Sequence, residues 1–201
     1  GRILWAGFNR RHSEAVTRAK ALFVESSGPR VATYRVNAGS LPDSHWYKDR
    51  RQGGRLLGEV CHFIDTISWI YGQTPAQVVA FGDGRGETLL QENLTLALHY
   101  SDGSSAAITY SSGGSPRTSK ERIEILGRAH TIVIDDYRFL EVNGKVDKSV
   151  TAGKGHVNSL RSFAESLQGE CNPSLDMHAS ISTSYSALRA MESLTNAGTH
   201  A

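Results

Sequence analysis

Asn93-Leu94-Thr95-Leu96-Ala97-Leu98-His99-Tyr100-Ser101-Asp102-Gly103-Ser104-Ser105-Ala106-Ala107-Ile108-Thr109-Tyr110 is the stretch whose reading decides the fold. Asn93 to Tyr100 and Ser105 to Tyr110 read as strands joined through Ser101-Asp102-Gly103, and Asp-Gly is a strong hairpin signal because both residues tolerate positive φ. Working outward, Ala76 to Phe81 reads as a strand on the N-terminal side. On the C-terminal side Glu121 to Leu126 and Thr131 to Asp135 flank the turn Gly127-Arg128-Ala129-His130, and Phe139 to Val142 adds a short strand before Asn143-Gly144. Successive strands joined by tight turns make a largely antiparallel open sheet with helices gathered on one face, the α+β class.

The flanks supply the helices. Ser13 reads as an N-cap with Glu14 in the first turn, and Val16, Ala19, Leu22 and Phe23 recur at helical spacing until Ser26-Ser27-Gly28-Pro29. Leu56 to Tyr71 carries the stripe Leu57, Val60, Cys61, Ile64, Ile67 and Ile70, closed by Gly72 and Pro75. Val157, Leu160, Phe163, Ala164 and Leu167 mark a third helix, and Ala179 to Leu194 the last. Ile3 to Phe8 reads as a buried strand of the parallel-sheet kind, the one exception to the class, and Arg30 to Val36 as a strand in a half-exposed sheet. Asn37 to Gly54 is a long loop, which at that length points to function, and Ser111 to Ser119 is a Gly/Ser-rich connector or ligand loop.

Composition narrows the function. The 201 residues carry 22 Lys+Arg against 20 Asp+Glu, a formal charge of +2 with both signs interspersed, which argues against a nucleic-acid partner. The longest apolar runs fall far short of the ~20 residues of a membrane helix, and the N-terminus lacks a signal-peptide pattern. Cys61 and Cys171, far apart, point to a reducing compartment and hence a cytoplasmic protein. At this length the chain is short for an enzyme holding a dinucleotide and a substrate on separate domains.

Chemistry concentrates in Gly53 to Asp65. On a helix Glu59, His62 and Asp65 fall at intervals of three and share one polar edge, where imidazole and carboxylate reach a common ligand and His62 moves protons near neutral pH. The structural alternative makes His62 a partly buried histidine hydrogen-bonded to Asp65 or Glu59. A metal site is not expected, because a lone Glu-x-x-His lacks the second such motif that di-iron bundles use. Cys61 falls on the apolar side and is no nucleophile. No Gly-x-Gly-x-x-Gly is present, Gly82-Asp83-Gly84-Arg85-Gly86 reading as a surface turn, so no cofactor-binding residue is expected within this chain. Arg10, Arg11, Lys48, Arg50 and Arg51 offer cations, and Trp46 and Tyr47 line a sugar or nicotinamide site or pin the loop to the core.

The order Gly7-Phe8-Asn9-Arg10-Arg11, Gly28-Pro29 before a strand, Trp46 and Asp49 leading to Gly53-Gly54, then His62-Phe63-Ile64-Asp65 and Gly72 resembles the glucose-fructose oxidoreductase, inositol dehydrogenase and rhizopine-catabolism (Gfo/Idh/MocA) family. The wording is most similar to a two-part subgroup in which an alcohol-dehydrogenase-like region precedes the Gfo/Idh/MocA region. The resemblance implies a substrate-binding, oligomer-forming C-terminal domain of dihydrodipicolinate-reductase-like architecture, residues 13–201. Residues 1–12 would then be the last strand of a Rossmann domain that is missing here, and the crossover from it. That domain would bind NAD or NADP, so the isolated chain is expected to be inactive. The implied substrate is a sugar, cyclitol or nucleotide-sugar, with His62 as acid/base and Glu59 standing in for a family aspartate. That aspartate belongs four residues before the histidine, where this chain has Gly58. Arg10, Trp46, Lys48 and Asp65 are the expected substrate-side residues. The competing expectation is a non-catalytic binding or dimerisation module.

Overall fold

A computed structural model describes residues 4–24, 28–84, 90–169 and 177–197. Ser13 caps α1 (Glu14–Leu22), its side chain accepting from Val16 N–H and satisfying one orphan donor of the first turn. β1 spans Arg30–Asn37. A π-helical turn over Leu56–Val60 runs directly into α2 (Cys61–Tyr71), which ends at Gly72 in the left-handed conformation. Then follow β2 (Gln77–Gly82), β3 (Asn93–His99), β4 (Ser105–Ser111), β5 (Glu121–Gly127), β6 (His130–Asp135), β7 (Phe139–Val142), β8 (Lys145–Asp147), α3 (His156–Leu167) and α4 (Met177–Ala197).

The eight strands form one sheet in the order β2-β3-β4-β1-β5-β6-β7-β8. Every pairing is antiparallel except β1 with β4, so the α+β class and the open sheet are as expected. The Asp102-Gly103 hairpin forms as read: Gly103 has φ +84° and the Asp102 carboxylate accepts from Ser104 N–H at 2.9 Å. Alternation sorts the sheet into two faces. Ala32, Tyr34 and Val36 of β1, Leu94, Leu96 and Leu98 of β3, Ile108 and Tyr110 of β4 and Ile123 and Ile125 of β5 point to one side, where they pack with Val60, Phe63, Ile64 and Ile67 of the α2 region. Each such side chain stabilises the fold by roughly 1.5–3 kcal/mol relative to exposure. The opposite face carries Val31, Val79, Phe81, Leu126 and Phe139, all exposed.

Arg30 fastens the helical layer to the sheet. Its guanidinium donates to the Tyr71 carbonyl at 3.1 Å, at the end of α2 where carbonyls lack helical partners, and to Asp102 at 3.1 Å, and it lies over the Tyr71 ring.

Several expectations change. Leu4–Phe8 is irregular, not a strand: a buried parallel strand needs neighbours on both sides, and none of the eight strands runs beside it; Ile3 lies outside the described residues. The π turn rotates the stripe of the second helix, so Leu56 and Phe63 are fully buried while Leu57 and Cys61 are only partly so. β8 was not read from the sequence, being three residues long. The long loop contains two 3-10 turns, Trp46–Lys48 and Arg50–Gln52. The apolar stripe of α3 faces outward: Val157, Leu160 and Leu167 are exposed, and Phe163 stacks on Trp5. Cys61 is a free thiol and Cys171 lies outside the described residues, as do Arg85 and Gly86 of the expected glycine-rich turn. No described helix is long and apolar enough to cross a membrane.

Candidate active site

The site grows from three pieces: the 3-10 turn Asn9–His12, the π turn entering α2, and the ends of β4 and β5. Gly58 lets the Trp46–Lys48 turn come down on the second of these. A Cβ there would overlap the ring of Tyr47, whose hydroxyl donates to the Gly58 carbonyl at 2.8 Å. The Trp46–Lys48 turn thus lies directly on the first turn of the catalytic-candidate helix. The sequence reading of Tyr47 as a pin for the loop is what the structure shows, while Trp46 beside it stays half exposed.

Glu59, next along, is buried and fully engaged. Tyr110 hydroxyl donates to one carboxylate oxygen and Lys120 Nζ to the other, both at 2.7 Å. Burial works against its charge, but these two bonds outweigh it and hold the carboxyl below its usual range. A wider chain of charge continues from Tyr110: Arg55 donates to the Tyr110 hydroxyl at 2.9 Å and to Glu92 at 2.6 Å, and Glu92 pairs with Lys48 at 2.6 Å. Lys48 is therefore tied down in the loop that carries it.

His62 sits one turn further, edge-on to Phe8 with ring centroids 5.4 Å apart. Burial first, then the nearby Arg10 charge, push its pKa down to about 4, with Glu121 and Glu59 acting in the opposite sense. The imidazole is neutral at neutral pH, the form that accepts a proton. Its Nδ1 is buried and makes no hydrogen bond among the described residues. The bond to Asp65 or Glu59 allowed by the sequence is absent.

Arg10 and Asp65, both expected on the substrate side, belong to buried pairs. Arg10 forks onto Glu121 through two bonds of 2.8 Å, over the Phe63 ring, and Glu121 also receives Tyr34 hydroxyl and Lys154 Nζ, each at 2.6 Å. Burial opposes ionisation of Glu121, yet Arg10 and Lys154 bring its pKa down to about 2. Asp65 pairs with Arg11 and accepts from Thr183 hydroxyl at 3.2 Å. Glu59, His62 and Asp65 share a helix but not a ligand: the first faces Lys120, the second Phe8, the third Arg11. Sequence reasoning missed Lys120 and Glu121, which stand at the start of β5 and carry no motif of their own.

Among the described residues no group of three or more His, Cys, Asp or Glu is placed to hold a metal ion. The open, largely antiparallel sheet with helices on one face and a histidine near the head of the central helix define an α+β domain of a recognisable family. The sequence model of the GFO/IDH/MocA C-terminal domain matches residues 28–133, so the chain belongs to that family. No curated protein matches the sequence. Among solved structures, an aldose-aldose oxidoreductase from Caulobacter crescentus complexed with glycerol superposes with TM-score 0.78 at 16% identity, over 99% of this chain and 62% of its own. An oxidoreductase from Thermotoga maritima gives 0.76 at 20% identity, over 96% of this chain and 60% of its own. The WlbA dehydrogenase from Bordetella pertussis, in complex with NADH and UDP-GlcNAcA, gives 0.72 at 18%, over 97% and 62%. These likenesses show the fold, and the chain spans about three fifths of each relative.

The family aspartate expected one turn before His62 has no room here. Gly58→Asp is expected to destabilise the chain by about 1–3 kcal/mol through the overlap with Tyr47. The combined Gly58→Asp, Tyr47→Ala variant should lose less than the sum of its single changes, a coupling that urea denaturation measures.

Proposed function

We propose that the chain is the substrate-binding C-terminal domain of an NAD(P)-dependent oxidoreductase acting on a hydroxyl or carbonyl of a sugar, cyclitol or nucleotide-sugar. The observation that carries it is His62: a half-buried, neutral imidazole with an unbonded Nδ1, near the head of the central helix, with Glu59 and the Arg10–Glu121 pair close enough to act on its charge. In the oxidation direction His62 would accept the proton of the substrate hydroxyl, and NAD or NADP, held outside this chain, would supply the acceptor for the hydride of the carbon that bears it. Glu59, kept ionised by Lys120 and Tyr110, favours the imidazolium that results. Arg10 and Asp65 hold the site's walls in place and do not contact substrate. Trp46 offers an exposed aromatic face at the rim.

The dinucleotide belongs to a Rossmann domain outside residues 13–201, with residues 1–12 as the crossover. Two observations support this: about two fifths of each relative's length lies outside the part this chain matches, and an apolar strip formed by Leu4 with Ile181, Tyr185 and Leu188 of α4 is exposed. The uncovered outer sheet face, with Phe81, Val31 and Leu126, is the proposed oligomer interface. The test is a screen of sugars and cyclitols with the complete protein, following NAD(P)H absorbance. A substrate turned over by the parent and slowed in Glu59→Gln supports the reading. Absence of turnover with every polyol sinks it and favours the non-catalytic module; Glu59→Gln kinetics equal to the parent's would remove Glu59 from the chemistry.

A further inference from the structure

A cavity of about 820 Å³ opens beside the candidate site, between the segment following β1 and the Ser112–Lys120 loop. It is fixed in shape by the backbone. Asn37 N–H donates to the Lys120 carbonyl at 2.7 Å, Ala38 N–H to the Ser111 carbonyl at 2.8 Å, and Asn37 Nδ2 to the Ser115 carbonyl at 2.7 Å. Arg35 clamps Ser119 with two further bonds. Gly114 lies so close to Asn37 that a Cβ would overlap its side-chain amide, which presses the loop onto β1.

The lining has two chemical characters. One is hydroxyl and amide, from Ser40, Ser112, Thr118 and Asn37, whose Oδ1 is buried without a hydrogen-bond partner. The other is cationic: Lys120, Arg117 and Arg138 line the cavity against a single carboxylate, Asp136. Lys120 is matched by Glu59. Arg138 approaches Asp136 only to 3.7 Å. The Arg117 guanidinium makes no hydrogen bond or ion pair with any described residue. Lys120 is the residue that joins the two places, touching Glu59 one turn from His62 and bordering the cavity.

We propose that this cavity selects a polyhydroxylated substrate bearing an anionic group, a carboxylate or a phosphate, with Arg117 and Arg138 reading the charge and Lys120 setting the distance from anion to reacting hydroxyl. This deepens the proposed function and rests on it. Guanidinium groups fork onto either oxyanion, and a loosely matched Arg138 beside an unmatched Arg117 leaves the charge of one anion to be neutralised. The hydroxyl and amide lining suits the polyol part of the same molecule.

Calorimetric titration of the complete protein with glucose, glucuronate and glucose 6-phosphate, at low and physiological salt, tests this. At least one of the two anionic sugars is expected to bind about tenfold or more tighter than glucose, with the advantage shrinking as salt rises. The two anionic arms separate carboxylate from phosphate recognition. Arg117→Ala with Arg138→Ala, at exposed positions where folding is not at stake, should erase the preference and leave glucose within about twofold. Equal binding of charged and neutral sugars, or a preference that survives the double variant, overturns the proposal while leaving the sugar-oxidoreductase reading intact. If none of the three sugars binds, the selectivity proposal fails, while the oxidoreductase reading stands or falls by the turnover screen.

Discussion

His62→Ala in the complete protein is expected to lower kcat by about 10²–10⁴ with KM changed little, the signature of a lost general base. The pH profile makes the expectation sharper. An ordinary histidine would switch off proton acceptance below about pH 6.5. Burial, with Arg10 nearby, brings the His62 pKa down to about 4, so its neutral form persists to far lower pH. The acid limb of kcat/KM should therefore fall near pH 4 to 5, and the variant should lack that limb altogether. The same shift bears on stability. Because the folded state resists protonation, the unfolded chain binds the proton more readily; the His62 contribution is complete above about pH 6.5 and is lost as pH falls toward 4. An acid limb near 6.5, or kcat unchanged on substitution, would remove His62 from the chemistry.

The second large effect concerns stability. Glu121 accepts hydrogen bonds from Arg10, Tyr34 and Lys154 while wholly buried, and Tyr34 hydroxyl lies 2.6 Å from that of Tyr137. Glu121→Ala strands the Arg10 guanidinium in the interior and takes an acceptor from the buried Tyr34–Tyr137 hydroxyl pair. Breaking a buried pair by removing one partner costs about 3–5 kcal/mol, and for a chain of this size that lowers Tm by on the order of 10 °C. Acid should reproduce part of the loss. With a folded pKa of about 2 against an unfolded value near 4.5, the carboxylate's contribution is present above about pH 4.5 and fades as pH drops toward 2. Thermal denaturation of parent and variant at pH 7 and pH 3 checks both statements: the gap between them should narrow at pH 3. A Tm within a degree or two of the parent at pH 7 would show that the network is dispensable.

The parts of the fold legible in the sequence are those whose causes are local. Asp102-Gly103 announces its hairpin because the residues making the turn also satisfy it. Ser13 announces α1 for the same reason. The turns Arg128-Ala129 and Asp136-Tyr137 adopt left-handed backbone without glycine. The first is held by Arg128 donating to the carbonyls of Phe23 and Gly28, distant in sequence and invisible in a local window. Strand β1 was legible, but not its place in the middle of the sheet, since its partners β4 and β5 lie far along the chain. At the site, Glu59 and His62 stood out by residue type and spacing. Arg10, Lys48 and Asp65 stood out too, but their charges are consumed by Glu121, Glu92 and Arg11, pairings that only the folded chain brings about. Gly58 was visible as a departure from the family pattern, and its cause, the Tyr47 ring, was not.

The central position of β1 has a consequence for how the molecule assembles. Val31 meets Ser105 on one side and Leu126 on the other, so the first strand made is a wedge between two hairpins made much later. Loop closure over such separations is slow compared with hairpin formation, which needs only neighbouring residues. If the β3–β4 and β5–β6 hairpins close before β1 docks, β4 and β5 present bare edges toward each other until Arg30–Asn37 slots between them. In that interval the chain displays two templates for intermolecular pairing, and its yield depends on how quickly the wedge arrives.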